Sequence, residues 1–274
     1  MPYDLTNRLV IGLASSALFD LEESDQIFRS KGEDIYREYQ RKNQDNPLGK
    51  GIAFPFIQKL LSINQISPDD PPIEVILLSR NDPDTGLRVM NSIEHYKIGI
   101  TRALFLQGRS PYQYINPLSI DLFLSANASD VNQAITAGYP AGQVLKSHFD
   151  NSIYETENSE KVHNPGPLAK FLMKLSNIQK KESKFHEETG GKYIPKLRIS
   201  IVTARNAPSH KRVINTIRKW EVTINEAFFL GGIDKSRILK VLNPHIFFDD
   251  QKVHLDSTVN ISPSVHIPFG IKNK

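Results

Sequence analysis

Residues 79–98 and 203–222 of this chain are two versions of one segment, and that duplication limits the possible folds more than any other sequence feature. The first reads SRNDPDTGLRVMNSIEHYKI and the second TARNAPSHKRVINTIRKWEV, at an offset of 124 positions. In this register Arg88 meets Arg212, Val89 meets Val213, Asn91 meets Asn215, Ile93 meets Ile217 and Tyr96 meets Trp220. The match runs without a gap for 48 positions, through 103–106 against 227–230 and Gly108 against Gly232, to 122–126 against 246–250. Upstream, 54–60 corresponds to 166–172 at an offset of 112.

Each copy carries the same order of signals. A β-rich apolar run (74–78; 198–202) ends at a hydroxyl residue, Ser79 or Thr203. A helix follows, with Val213, Ile214, Ile217 and Trp220 near a 3.6-residue period. Next come a strand at 227–230, a glycine turn, a short helix and a strand at 245–248. Apolar strands alternating with helices predict an α/β fold of Rossmann type, with parallel sheets covered by helices on both faces and an internal duplication. The expected organisation is a first copy over 1–126, a connecting segment over 127–165 and a second copy over 166–274. The twelve extra residues of the second copy fall in a polar loop over 179–198.

Composition removes several classes of function. No apolar run approaches the roughly 20 residues that a membrane-spanning helix needs, so no membrane partner is expected. With no cysteine, disulfides, thiolate catalysis and zinc–thiolate sites are excluded. The net charge of +4 is dispersed. Its densest basic stretch, Lys180 to Arg198, also holds Glu182, Glu187 and Glu188, and only Phe185 and Tyr193 stand among the bases. It reads as a solvated loop, so no nucleic-acid partner is expected. The opening MPYDLTNRLVIGL carries an acid and no basic lead-in, which argues against a secretory signal and for a cytoplasmic location.

The second copy keeps residues suited to phosphate. Thr203 stands at a strand end with a hydroxyl to donate, and Arg205 offers a planar fork of donors. Lys235, after Gly231-Gly232, can neutralise charge on a transferring group. Asp249 and Asp250 end an apolar strand, and paired carboxylates suit Mg²⁺. Taken singly, these would be a helix cap, a solvated turn lysine and turn aspartates. Together they stand in the order hydroxyl, lysine, acid pair, each after its own strand, where α/β sheets bind ligands.

That order resembles the haloacid-dehalogenase-like (HAD-like) phosphohydrolases. The strings Ile201-Val-Thr-Ala-Arg205, Glu226-Ala-Phe-Phe-Leu-Gly-Gly232 and Pro244-His-Ile-Phe-Phe-Asp-Asp-Gln251 resemble the type I cytosolic 5′-nucleotidases, as do Ser15-Ser-Ala-Leu-Phe19, Phe54-Pro-Phe56, Arg88-Val-Met-Asn-Ser-Ile-Glu-His-Tyr96 and Gly166-Pro-Leu168. The resemblance covers nearly the whole chain. It implies a cytosolic, Mg²⁺-dependent hydrolase of nucleoside 5′-monophosphates, with AMP the representative substrate. By it Thr203 binds the phosphoryl group, Lys235 stabilises the transition state, Arg205 and Asn206 contact substrate, and Asp249 and Asp250 hold the metal.

The same resemblance calls for a nucleophile in an Asp-Gly-Asp block ahead of the Gly-Pro-Leu helix. The first Asp would attack phosphorus and the second would act as general acid and base. No Asp-x-Asp occurs between Ala126 and Gly166. The leading strand of the first copy, 9–19, projects at the offset of 112 onto 121–131, where the last strand of that copy already lies. The block therefore reads as deleted. Asp150 is the surviving substitute nucleophile, with Ser152 where the second acid would stand.

The first copy has Ala14-Ser-Ser-Ala17 at its leading strand, Ser125-Ala126 for the acid pair and Pro111 for the lysine. It reads as a degenerate half that completes the fold, with an effector surface of Ser15, Ser16, Ser79 and Arg109 as the other option. The alternative to an enzyme is a catalytically silent nucleotide-binding or interaction protein on the same scaffold. A missing strand would also expose a sheet edge and favour a homo-oligomer. The histidines are scattered, and His245 reads as structural.

Overall fold

A computed structural model describes residues 4–145, 166–203, 210–230 and 233–268. The chain divides into two compact units, the first mainly Val10–Ser62 with Ile73–Val144, the second mainly Leu145–Lys274 with Ile63–Pro72.

In the first unit, β1 (Leu9–Leu13) leads through the single turn α1 (Ser15–Leu18) to β2 (Phe19–Asp20) and the long helix α2 (Glu22–Lys42). Then come β3 (Gly49–Lys50), α3 (Phe54–Leu61), β4 (Ile73–Ser79), α4 (Leu87–Tyr96), β5 (Arg102–Phe105), β6 (Leu122–Ser125), α5 (Ala128–Thr136) and β7 (Ala141–Val144). Its sheet runs in the order β7-β6-β1-β4-β5, with β1/β6, β6/β7 and β4/β5 parallel. Every residue of β1, β4 and β6 is buried, which explains their unbroken apolar runs. Val10, Ile76, Leu78 and Phe123 pack with Val131 and Ala134 of α5. Each of the larger side chains contributes about 1.5–3 kcal/mol by leaving water.

β2 and β3 pair antiparallel, and just beyond β3 a Cβ at Gly51 would lie 2.8 Å from the backbone of Leu18 and Phe19. α2 bends at Gly32 (φ 81°), a backbone angle that suits glycine. Polar contacts fasten it to the loop after β4. Tyr36 Oη donates to Asn81 Oδ1 (3.4 Å), Arg37 pairs with Asp82 (3.4 Å), and Arg41 Nε donates to Asp84 Oδ2 (2.8 Å).

The second unit contains α6 (Ala169–Glu188), β8 (Ser200–Thr203), α7 (His210–Lys219), β9 (Glu226–Phe229), α8 (Lys235–Leu242), β10 (Phe247–Asp249), α9 (Lys252–Asp256) and β11 (Ser264–His266). β8/β9 and β10/β11 are parallel pairs. Leu239, Phe247 and Leu255 form an apolar cluster, packed by Leu145, Val202, Leu242 and Ile261.

The polar stretch 179–198, expected as a loop, is helical as far as Glu188. Its lysines mislead because they point outward, while Ile178, Gln179 and Glu182 on the same helix are buried. Glu182 accepts hydrogen bonds from the Tyr193 hydroxyl, from Lys196 N–H (2.9 Å) and from Leu197 N–H (3.0 Å). Burial and the bond to Glu182 push the Tyr193 phenol well above its ordinary pKa.

The duplication extends to single hydrogen bonds. Leu106 N–H donates to the Ser79 carbonyl (3.0 Å), as Leu230 N–H does to that of Thr203 (2.8 Å). Asn127 N–H donates to Ser125 Oγ (3.0 Å), as Gln251 N–H does to Asp249 Oδ1 (2.8 Å). Left-handed backbone recurs at the same offset of 124, in Lys97 (φ 52°) and Glu221 (φ 54°), and again in Ser119 (φ 53°) and Asn243 (φ 45°). Lys97 and Asn243 each end a helix in this conformation, a common way to stop one. One further pair of elements belongs to the repeat. α5 and β7, within the stretch expected as a connecting segment, match α9 and β11. Gln143 Nε2 contacts the Ala126 carbonyl (3.3 Å) as His266 Nε2 contacts that of Asp250 (3.1 Å).

Candidate active site

Asp234 caps α8 by accepting from Ser236 N–H (2.8 Å), so Lys235 becomes the first residue of a helix and not part of a solvated turn. Its side chain turns inward, and the residue is 8% exposed. Lys235 Nζ donates to Asp249 Oδ2 at 2.6 Å and lies 3.0 Å from His254 Nδ1. Asp249, the last residue of β10, is also 8% exposed. Its Oδ1 accepts from Gln251 N–H (2.8 Å) and lies 3.3 Å from His254 Nδ1. One ring nitrogen serves one of these partners at a time, as acceptor from the ammonium or as donor to the carboxylate.

Burial alone would raise the Asp249 carboxyl. The His254 contact and the Lys235 charge outweigh it and hold the group at about 2. Asp250 goes the other way. Desolvation of its carboxyl and the negative charge of Asp249 raise it above the usual carboxylate range. The residue itself is exposed, as expected where successive strand side chains alternate sides. The acid pair of the sequence is thus one buried ion-paired carboxylate followed by one at the surface.

Thr203 ends β8, next to Val202, which packs on the cluster formed by Leu239 of α8 and Phe247 of β10. The structure therefore brings Lys235 and Asp249 into contact and sets Thr203 at a neighbouring strand end of the same unit. Arg205, Asn206 and Asp150 lie outside the described residues.

No group of three His, Cys, Asp or Glu side chains suited to a metal occurs among the described residues. Mg²⁺ does not require one. It takes one or two carboxylates and fills its remaining positions with water and phosphate oxygens. Each carboxylate oxygen has two lone pairs, so Asp249 can accept from Lys235 and Gln251 and still offer a ligand. The donor set fits that ion.

His254 escaped the sequence reading, yet two signals mark it. It lies in the helix directly after the acid pair, and the offset of 124 places it on Asp130 of the first copy. In the first copy, Ser15 Oγ and Ser79 Oγ meet at 3.1 Å at the ends of β1 and β4, and Arg109 is exposed.

Comparison with known proteins supplies the lineage. The family model for 5′-nucleotidase matches residues 1–158 and 149–274. Human cytosolic 5′-nucleotidase 1B is 31% identical over 306 aligned positions, covering 97% of this chain and 50% of the relative. The chain thus spans half the length of that relative. No solved structure matches it. Among the described residues no helix is long and apolar enough to cross a membrane. A family match that runs from end to end, over both copies of the repeat, makes this chain a member of the 5′-nucleotidase family.

Proposed function

We propose that the second copy binds nucleoside 5′-monophosphates, AMP among them, with Mg²⁺, and that hydrolysis is impaired because the carboxylate nucleophile has been deleted. The observation that carries this reading is the buried Lys235–Asp249 pair, which joins a phosphate-neutralising cation to a metal-type carboxylate at the strand ends. Thr203 would donate to a phosphoryl oxygen, Arg205 and Asn206 would hold the substrate, and Lys235 would offset charge on the phosphate. Asp249 and Asp250 would hold Mg²⁺, which supplies charge neutralisation on the phosphate when bound.

Hydrolysis in this scheme would begin with a carboxylate oxygen forming a bond to phosphorus. The bond to the nucleoside 5′-oxygen would break, and an acid would protonate that oxygen. Neither carboxylate of the Asp-Gly-Asp block is in the chain. Two comparisons support a deletion rather than a relocation. The two family matches meet at 149–158, where the block is expected. The 306 aligned positions also exceed the 274 residues of the chain, so at least 32 of them have no residue here. A cytoplasmic location and self-association through an uncovered sheet edge belong to the same reading.

Calorimetric titration with AMP and Mg²⁺ tests the binding half. The expected result is saturable binding, weakened about tenfold or more in Arg205→Gln, which loses charged hydrogen bonds to phosphate. No AMP binding by the folded chain would overturn the proposal.

A further inference from the structure

The strand ends of the first copy are polar, but their charges already answer one another. Arg80 follows Ser79 at the end of β4, and its guanidinium grips Asp130 of α5 through both Nε and a terminal nitrogen. Its other terminal nitrogen donates to the Gly108 carbonyl (3.2 Å). Ser110 Oγ donates to Asp130 Oδ1 (2.9 Å). The Asp130 side chain is 3% exposed and that of Arg80 37%. Nearby in the same loop region, Ser79 Oγ accepts from Asn81 N–H (3.2 Å) and meets Ser15 Oγ.

A planar guanidinium fork and a hydroxyl, converging beyond the ends of parallel strands, form the usual recognition set for a phosphate. Here a carboxylate of the chain sits on them. We propose that the first copy holds an oxyanion site plugged by its own Asp130, which takes the place a phosphate monoester would occupy on Arg80 and Ser110.

Two observations favour a plug over an ordinary surface ion pair. The contact is two-pronged and its acid is buried, unlike a mobile exposed pair. The rim is also fastened, because α2 is tied by Tyr36, Arg37 and Arg41 to Asn81, Asp82 and Asp84, the residues after Arg80. The two copies thus close in mirrored ways. In the second, a helix-borne cation reaches a strand-end carboxylate. In the first, a strand-end cation reaches a helix-borne carboxylate, from the position that corresponds to His254. It follows that phosphate ligands enter the second copy alone in the unaltered chain. This inference does not depend on turnover.

The test is calorimetric titration of the full chain with inorganic phosphate, with circular dichroism to confirm folding. Asp130→Ala and the near-isosteric Asp130→Asn should each gain a phosphate site that binds about tenfold or more tighter than anything lost in the unaltered chain on Arg80→Gln. That gain should vanish in Arg80→Gln/Asp130→Asn and persist in Thr203→Val/Asp130→Asn, which separates it from second-copy binding. Folded Asp130 variants with no gain would overturn the proposal. So would a gain that survives Arg80→Gln, or phosphate binding by the unaltered chain that Arg80→Gln abolishes.

Discussion

Replacing Lys235 by methionine isolates the buried contact on which the candidate site is built. The side chains of Lys235 and Asp249 are 9% and 4% exposed, so water screens the pair very little. Methionine keeps the length and apolar stem of lysine and removes the ammonium. Asp249 would then retain Gln251 N–H and the His254 contact as compensation for a buried negative charge. Breaking a buried pair by removing one partner costs about 3–5 kcal/mol. Proton uptake by Asp249 limits the loss to the lower end of that range. The assay is urea unfolding followed by the fluorescence of Trp220, the sole tryptophan, which lies in the second unit. Lys235→Met should destabilise this unit by about 3 kcal/mol or more, whereas Lys235→Met/Asp249→Asn should recover at least about 1.5 kcal/mol through their coupling. A loss below about 1 kcal/mol, with additive double-variant behaviour, would mean the pair behaves as an exposed one and the reasoning is wrong.

Three other outcomes are expected. Glu182→Ala orphans the Tyr193 hydroxyl and two backbone N–H groups, and should cost the second unit about 3 kcal/mol or more by the same fluorescence assay. Gly51→Ala places a Cβ 2.8 Å from backbone that cannot rotate away, and should cost about 1–3 kcal/mol by circular dichroism of unfolding. Asp249 has a depressed carboxyl, so its stabilising effect is full above about pH 4 and fades as pH falls through about 2, a loss of roughly 2 kcal/mol. Asp250 has the opposite sign, stabilising below its ordinary pKa and losing that effect as pH rises through its raised one. Acid titration of stability in Asp249→Asn and Asp250→Asn should separate the two slopes.

The repeat was legible because a duplicated fold must keep its apolar positions in register. Arg88, Val89, Ile93 and Tyr96 of α4 thereby announced α7, and Ala103 to Leu106 announced β9. What stayed hidden depended on tertiary partners. Glu182 looks like one more charge among lysines until Tyr193 and the 196–197 backbone fold onto it. Lys235 was legible as a phosphate-type cation, but its burial against Asp249 was not, because that depends on Asp234 capping the helix. His254 and Asp130 occupy equivalent positions but carry different chemistry, so the offset pairs them without revealing what either contacts. α5 and β7 fell outside the expected first copy because the match in residue type fades there while the backbone pattern continues.

The central claim is that the chain keeps the phosphate and metal side of a 5′-nucleotidase and lacks its nucleophile. The most direct measurement is phosphate release from AMP with Mg²⁺, run on the chain and on Asp150→Asn and Asp250→Asn. The account predicts AMP binding without appreciable release in all three. Release by the unaltered chain that is lost in both variants would make Asp150 the working nucleophile and contradict the account.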